Sequence, residues 1–498
     1  MGPKWFSRER LGQVMLFLLL LLSYTYTFPR WADQSQNSRM DMVVAVVDDG
    51  TFRIDKYVSN TVDYAKVGDH YYSDKAPGPA FLGIPIYAGL RVLFDTPVVQ
   101  RLMNQLASNP AFVATLRSYG SGILEQKVRL ALALVAIALA VGAIPSALLG
   151  VLLYRAMARF TPRPWPRLLV VVGYALLTPA FAYANTFYSH QLSAALLFGA
   201  FYLVFMPAAP FSRWRLLGAG FLLAYAVICE YPAALMAGGI FIYALYRLWR
   251  EDRWTRSVWM VPAAAVVGAA WLAYNTVVFG GPLKLGYSYS EQWLGVHNTG
   301  FMSLTWPHGE AMWGITFGLF RGLFVLSPLL LLAVPGLVWW WRSGEHRAAF
   351  WLAVYSVAAF FLFNSSSAMW WGGFAVGPRY VLPAVPFLAL PIVFVFRDAR
   401  RHWFWKAAGA LLYLWSFVAT WGLTLAEQAF PPGADLNPNP LVDYAWPNWL
   451  AGNIARNAGT LLHLRGPLSL APLFALMAGL LFAWWRFCAC APAPKGAA

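Results

Sequence analysis

The chain has 498 residues, of which 59% are hydrophobic, 17% aromatic and only 12% charged. Soluble proteins carry roughly 25% charged residues, and several apolar runs approach or reach the ~20 residues that cross a bilayer, so a soluble globular domain is excluded in favour of a polytopic membrane protein. The formal net charge of +16 does not indicate a nucleic-acid partner, because basic residues gather in short loops between apolar runs, as cytoplasmic loops do.

The first apolar run, 11–28, resembles a signal-peptide core, but no small-residue cleavage site follows and a retained first helix is expected. A long polar segment, 29–130, comes next and carries Asp33, Arg39, Asp41, Asp48, Asp49, Asp55, Asp63, Asp69, His70, Asp74 and Lys75. Within it, MDMVVAVVDDG (40–50) and PAFLGIPIYAGLRVLF (79–94) read as juxtamembrane helices lying in the interface plane. Further spans are expected near 131–153, 168–184, 191–207, 217–229, 232–247, 258–278, 322–341, 348–363, 381–396, 406–425 and 468–485.

Loop charge orders these segments. Lys4, Arg8 and Arg10 start the chain inside. Every second loop is then basic: Arg155, Arg159, Arg163 and Arg167; Arg213 and Arg215; Arg247, Arg250, Arg253 and Arg256; Arg342 and Arg347; Arg397, Arg400, Arg401 and Lys406. Arg486 and Lys495 close the chain in a cytoplasmic tail, 486–498. The alternation predicts about twelve helices with both termini cytoplasmic. It also places the long segments 29–130, 279–321, 364–380 and 427–467 outside. The fold class expected is therefore an all-α polytopic membrane protein, one membrane-embedded domain over 1–498, with its bundle completed by 131–485.

Charged groups near membrane depth mark functional candidates, and four places qualify. In GDHYYSDKAPG, Asp74 and Lys75 precede Ala76-Pro77-Gly78, where Pro77 turns the chain into a helix whose positive end favours an anion. The plainer alternative there is a capping Asp with a Lys reaching to headgroups. In AYANTFYSHQLSAALL, Asn185 and His190 sit in a short outer turn, and in CEYPAALM, Glu230 occupies another. In SSSAMWWGGFAVGPRYVLP, Trp370 and Trp371 suit an interfacial belt, Gly372, Gly373 and Gly377 permit close backbone approach, and Arg379 is suited to phosphate or carboxylate. No P-loop, dinucleotide fingerprint or nucleophile elbow is present. The three cysteines, Cys229, Cys488 and Cys490, have no metal-ligand or disulfide spacing, and His297 and His308 are isolated.

This layout resembles the GT-C glycosyltransferases, in particular the branch of the protein O-mannosyltransferases and the aminoarabinose transferases. In that branch the first outer loop ends in an aromatic–acidic–Lys–Pro stretch, which YYSDKAPG matches with Asp74 and Lys75. YNTVVFGGPLKLGY, FGLFRGLFVLSPLLLL and WWGGFAVGPRYVLPAVPFLALP resemble bacterial members of the group. The resemblance implies transfer of one sugar from a polyprenyl-phosphate carrier to an acceptor on the outer face of a bacterial plasma (inner) membrane. It implies Lys75 and Arg379 at the phosphate, with Asp74, Arg39, His190, Glu230 and Tyr72 around the donor, and a carboxylate base early in the first outer loop.

The family's acidic pair has no direct counterpart in WADQSQNSRMDMVVAVV. Asp33 and Asp41 are the candidates, neither followed by Glu, and a shifted frame puts Ser35 and Gln36 at the pair. Asp41 is slightly preferred, because Arg39 stands two residues before it and a helix over 40–50 would hold it. The implied partners are membrane lipid, the lipid-linked sugar donor and an acceptor that is protein, lipid or glycan. No cofactor beyond the donor is implied, and no spacing specifies a metal. The alternatives are a transporter or flippase of lipid-linked sugars, against which the absence of an internal repeat counts, and a lipid-linked oligosaccharide ligase or polymerase.

Overall fold

The computed structural model describes residues 8–29, 33–110, 124–206, 211–297, 299–300, 303–397, 403–433 and 437–489. Lys4, Arg400, Arg401, Cys490 and Lys495, and the side chains of His297 and Lys406, lie outside the described residues. The first helix, α1 (Arg8–Thr25), follows from an almost unbroken leucine run with no interior proline. It packs against Ile144–Ala156 and the last long helix, Ala471–Trp484. Gly12 permits the latter approach, since a Cβ there would lie 3.2 Å from Trp484 Nε1 and 2.9 Å from Cys488 Sγ, just past that helix.

Each predicted apolar segment falls on helix. Among the described residues six helices are long and apolar enough to cross a membrane, or seven if one bent pair counts as a single span. The remaining segments are short or broken for local reasons. Ser327-Pro328 interrupts 322–341 with a tight 3-10 turn (Pro328–Leu332), where proline removes a backbone donor. The 168–184 segment divides into Pro164–Leu176 and Ala180–Ala184, and His190–Phe205 has 16 residues.

The first long loop is built differently from its sequence expectation in two respects. Helix α2 (Gln34–Asp48) begins six residues before the predicted 40–50 stretch, because Asp33 caps it, accepting the Gln36 amide at 3.0 Å. It is buried along most of its length beneath α3 (Gly78–Phe94). Second, the strands β1 (Tyr64–Val67) and β2 (His70–Ser73) form an antiparallel hairpin in register Tyr64↔Ser73 and Val67↔His70. Gly68, at φ +60°, begins its two-residue turn, where Gly adopts positive φ without steric cost. Beyond α3 the chain bends by 94° into α4 (Pro97–Ala107), an amphipathic helix that leaves Val98 and Leu102 exposed.

Two buried apolar clusters fill the molecule. The larger includes Tyr183 and Tyr188, and the smaller, under the first loop, includes Phe187. The turn 183–190 therefore sits at their seam.

The two ends of the bundle differ in chemistry. At the Arg8 end of α1, Arg167 pairs with Glu9, Arg163 donates to the Arg397 carbonyl, Arg397 pairs with Glu345 and Arg247 donates to the carbonyls of Val204 and Phe205. The arginine-rich loops are thus gathered at one end. The other end, about 27 Å away along the 18 residues of α1, carries the first loop.

Candidate active site

Tyr188 is the hub of the site. Its hydroxyl donates to Asp33 Oδ2 at 2.5 Å, and its ring centre lies 5.2 Å from the Arg379 guanidinium carbon and 6.0 Å from that of Arg39. It also stacks on His190, with ring centres 5.8 Å apart. Asp33 stays in place because it is the cap of α2, at the positive end of that helix. Two further bonds join α2 and the turn 183–190 to their surroundings: Phe187 N donates to Gln36 Oε1 at 2.8 Å, and Asn185 donates to the Thr27 carbonyl at 2.6 Å.

Arg39 Nη1 donates to the Ser35 carbonyl and hydroxyl, both at 2.7 Å, one helical turn back. Arg379 has a 3.5 Å contact to the Tyr380 hydroxyl. Both arginines are buried at Nε with no hydrogen-bond partner among the described residues. Among the described residues neither forms an ion pair with a carboxylate, so each directs positive charge into the site.

Lys75 is arranged otherwise. Its Nζ lies 2.9 Å from Asp63 and 3.1 Å from Asp74. The hairpin register explains this, since Tyr64 opposite Ser73 brings Asp63 alongside Asp74 and Lys75. Trp293 donates to Asp63 at 3.1 Å and Ser290 to Asp74 at 3.3 Å. His190 Nδ1 and Glu230 Oε1 are 2.8 Å apart, both buried, and Glu230 Oε2 has no hydrogen-bond partner among the described residues.

Burial pushes the Asp33 carboxyl above the ordinary range, opposed by the Tyr188 and Gln36 hydrogen bonds and by Arg379. Burial acts most strongly on Asp63 and would raise it, but Lys75 together with Trp293 and Arg379 holds that group low. Asp74 is raised by burial in spite of Lys75, with Asp63 adding to the rise. Burial alone would lower Lys75, but Asp63 and Asp74 more than reverse this, so it is held firmly protonated. Two carboxylates around one ammonium separate in this way, one kept ionised and the other pushed towards its neutral form.

The chain superposes on ArnT from Cupriavidus metallidurans in the apo state with a TM-score of 0.51 and 14% identity, covering 97% of this chain and 74% of that one. The chain has the ArnT fold. ArnT from the same organism bound to undecaprenyl phosphate superposes with a TM-score of 0.49 and 16% identity, over 97% of this chain and 76% of that one. No protein-family model matches the chain, and no curated protein matches it in sequence. The all-α, membrane-spanning architecture expected from the sequence is the one observed, with six of the expected spans long and apolar enough to cross among the described residues.

Within this ArnT-like fold the predicted residues divide. Asp33, Arg39, His190, Glu230 and Arg379 gather around or next to Tyr188, and Asp74 and Lys75 adjoin them, close enough for Arg39 to influence both. Asp41 stands apart. Two residues beyond Arg39 is about 200° around a helix, so it faces away, accepting from Asn60 at 3.0 Å. Burial raises it well above the ordinary range, with the Asn60 bond alone in opposition. Tyr72 turns its ring edge to Phe279, with centres 6.4 Å apart, in the apolar cluster below. Ser35 and Gln36 hold Arg39 and Phe187 in place.

The glycines of the 364–380 loop approach protein groups. A Cβ on Gly372, at φ +71°, would come within 3.1 Å of Arg379 Nε, and one on Gly377 within 2.8 Å of Pro179. Arg321 braces the same loop from below, donating to the carbonyls of Gly373 at 2.8 Å and Trp371 at 3.2 Å. Tyr188, Asp63, Ser290 and Arg321 were not singled out by sequence reasoning. A local signal exists for two of them: Tyr188 lies two residues before His190, and V-G-D-H at 67–70 is a hairpin turn that draws Asp63 to Lys75.

Proposed function

We propose that the protein transfers one sugar from a polyprenyl-phosphate donor to an acceptor hydroxyl on the outer face of the membrane, from a chain that crosses about twelve times with both termini inside. The observation that supports this reading is the Tyr188 cluster, in which a buried carboxylate and two guanidiniums that have no carboxylate partner among the described residues meet at the end of the bundle away from the arginine-rich loops. Asp33 takes the proton of the acceptor hydroxyl as its oxygen forms the bond to the anomeric carbon. The bond from that carbon to the donor phosphate oxygen breaks, and polyprenyl phosphate leaves. Arg379 and Arg39 hold the negative charge that develops on the phosphate, which is worth most in a dry site. Lys75, fixed between Asp63 and Asp74, orients the sugar or the phosphate edge. Tyr188 keeps Asp33 aimed and favours its ionised form.

The test is transfer of radiolabel by purified protein from a panel of polyprenyl-phosphate monosaccharides to total membrane acceptors. One donor is expected to serve, with Arg379→Gln reducing its use. If the wild type binds none and transfers none, the reading is wrong.

A further inference from the structure

A groove of about 750 Å³ lies at the opposite end of the bundle, between α1 and Ile144–Ala156. Arg10, Gln13 and Arg155 line it along with Val14, Phe17 and Leu148. Its charge is one-sided. Among the described residues of the lining Glu9 is the only carboxylate, and Arg167 pairs with it at 3.5 Å. Arg155 lies against the Tyr202 ring, its guanidinium carbon 5.6 Å from the centre, and Arg159 donates to the carbonyl of Met206, which also borders the groove. Val14 and Leu148 stay about half exposed, at 53% and 48%. The groove thus sets the guanidiniums of Arg10 and Arg155 and the Gln13 amide beside a half-exposed apolar wall, with a volume in the range that holds a small amphiphile.

We infer that this groove binds an anionic phospholipid of the inner leaflet, its phosphate against Arg10 and Arg155 and an acyl chain along Val14, Phe17 and Leu148. Charge complementarity selects the anionic class over a zwitterionic one, because basic groups at a membrane surface each add attraction for anionic headgroups. Arginine is suited to the phosphate because its planar fork can engage two oxygens. The apolar wall selects a lipid over a free phosphate. The inference rests on the orientation proposed above, which puts this end of the bundle inside, and not on the transfer reaction.

The test measures binding of phosphatidylglycerol and phosphatidylcholine to the full-length protein by native mass spectrometry, beside thermal unfolding with each lipid. Phosphatidylglycerol is expected to bind more tightly than phosphatidylcholine. In Arg10→Gln/Arg155→Gln its binding should weaken about tenfold or more, and in Arg10→Lys/Arg155→Lys it should largely recover. Val14→Trp, which narrows the apolar wall and leaves both arginines, should weaken it as well and decides the matter if the glutamine variant does not fold. Asp33→Asn should bind the lipid as the wild type does, which separates this site from the catalytic one. Equal phosphatidylglycerol binding by wild type and Val14→Trp, or by wild type and a folded glutamine variant, overturns the inference. So does displacement of phosphatidylglycerol from the groove by undecaprenyl phosphate, which would make the carrier the occupant.

Discussion

At the scale of single residues, the site separates charge that is paired from charge that is not. Lys75 is enclosed by Asp63 and Asp74, while Arg39 and Arg379 lean on an aromatic ring and keep their Nε atoms open. Removing Lys75 leaves two buried carboxylates facing each other. Lys75→Ala is therefore expected to cost about 3–5 kcal/mol of stability, read as a fall in the thermal midpoint, whether or not donor is present. Asp33 has its own pH signature. Its folded pKa lies above the ordinary value because of burial, and a general base works only when ionised, so transfer should rise with pH along an acid limb displaced upward. The Tyr188 hydrogen bond acts in the other direction and lowers that pKa. Tyr188→Phe removes it, and the acid limb of kcat/KM should move to higher pH while the alkaline side stays in place. An unmoved limb would show that Tyr188 does not govern the base.

At the scale of elements, close contacts between short segments set the geometry. The first turn of α3 rests on the end of Arg213–Cys229: a Cβ on Gly78 would lie 2.7 Å from Cys229 Sγ and 2.8 Å from Cys229 N. Tyr225 donates to the Gly78 carbonyl across the same contact at 2.9 Å. Gly78→Ala should cost about 1–3 kcal/mol by overpacking, again measured by thermal unfolding. Because backbone as well as sulfur is in the way, adding Cys229→Ala should not restore the loss.

Much at this scale was legible in the sequence. The apolar segments fall on helices, α3 starts where Pro77-Gly78 places it, and Arg379 follows the glycine-rich loop. The facing of α2 was not read correctly from the hydrophobic run 40–50, because the helix is started by a polar cap seven residues upstream, at Asp33. Starting the helix there puts Ser35 and Arg39 on one side and Asp41 on the other, and for that reason Asp33 is the base proposed above. Local pattern marks the hairpin turn at 67–70 and sets Tyr188 near His190, but the bonds of Asp63 with Trp293 and of Tyr188 with Asp33 join distant parts of the chain, which local pattern does not encode.

At the scale of the molecule, the chain keeps its charges at two ends for two purposes. Arginines at one end pair with carbonyls and isolated acids, while the other end assembles a mixed cluster around Tyr188. The proposed orientation puts the hairpin outside and the 247–256 loop inside. With Cys229, Cys488 and Cys490 replaced by alanine, a membrane-impermeant maleimide should label Asp69→Cys on intact cells. It should reach Thr255→Cys only after lysis, and the reverse pattern would invert the topology.

Asp33, held by Tyr188, is the proposed base of the sugar transfer. The most direct measurement compares label transfer from the polyprenyl-phosphate sugar by wild type, Asp33→Asn and Asp41→Asn, each shown to be folded. The account predicts a loss of about 10²–10⁴-fold for Asp33→Asn and near wild-type transfer for Asp41→Asn. Full activity in Asp33→Asn, or a loss confined to Asp41→Asn, would contradict it.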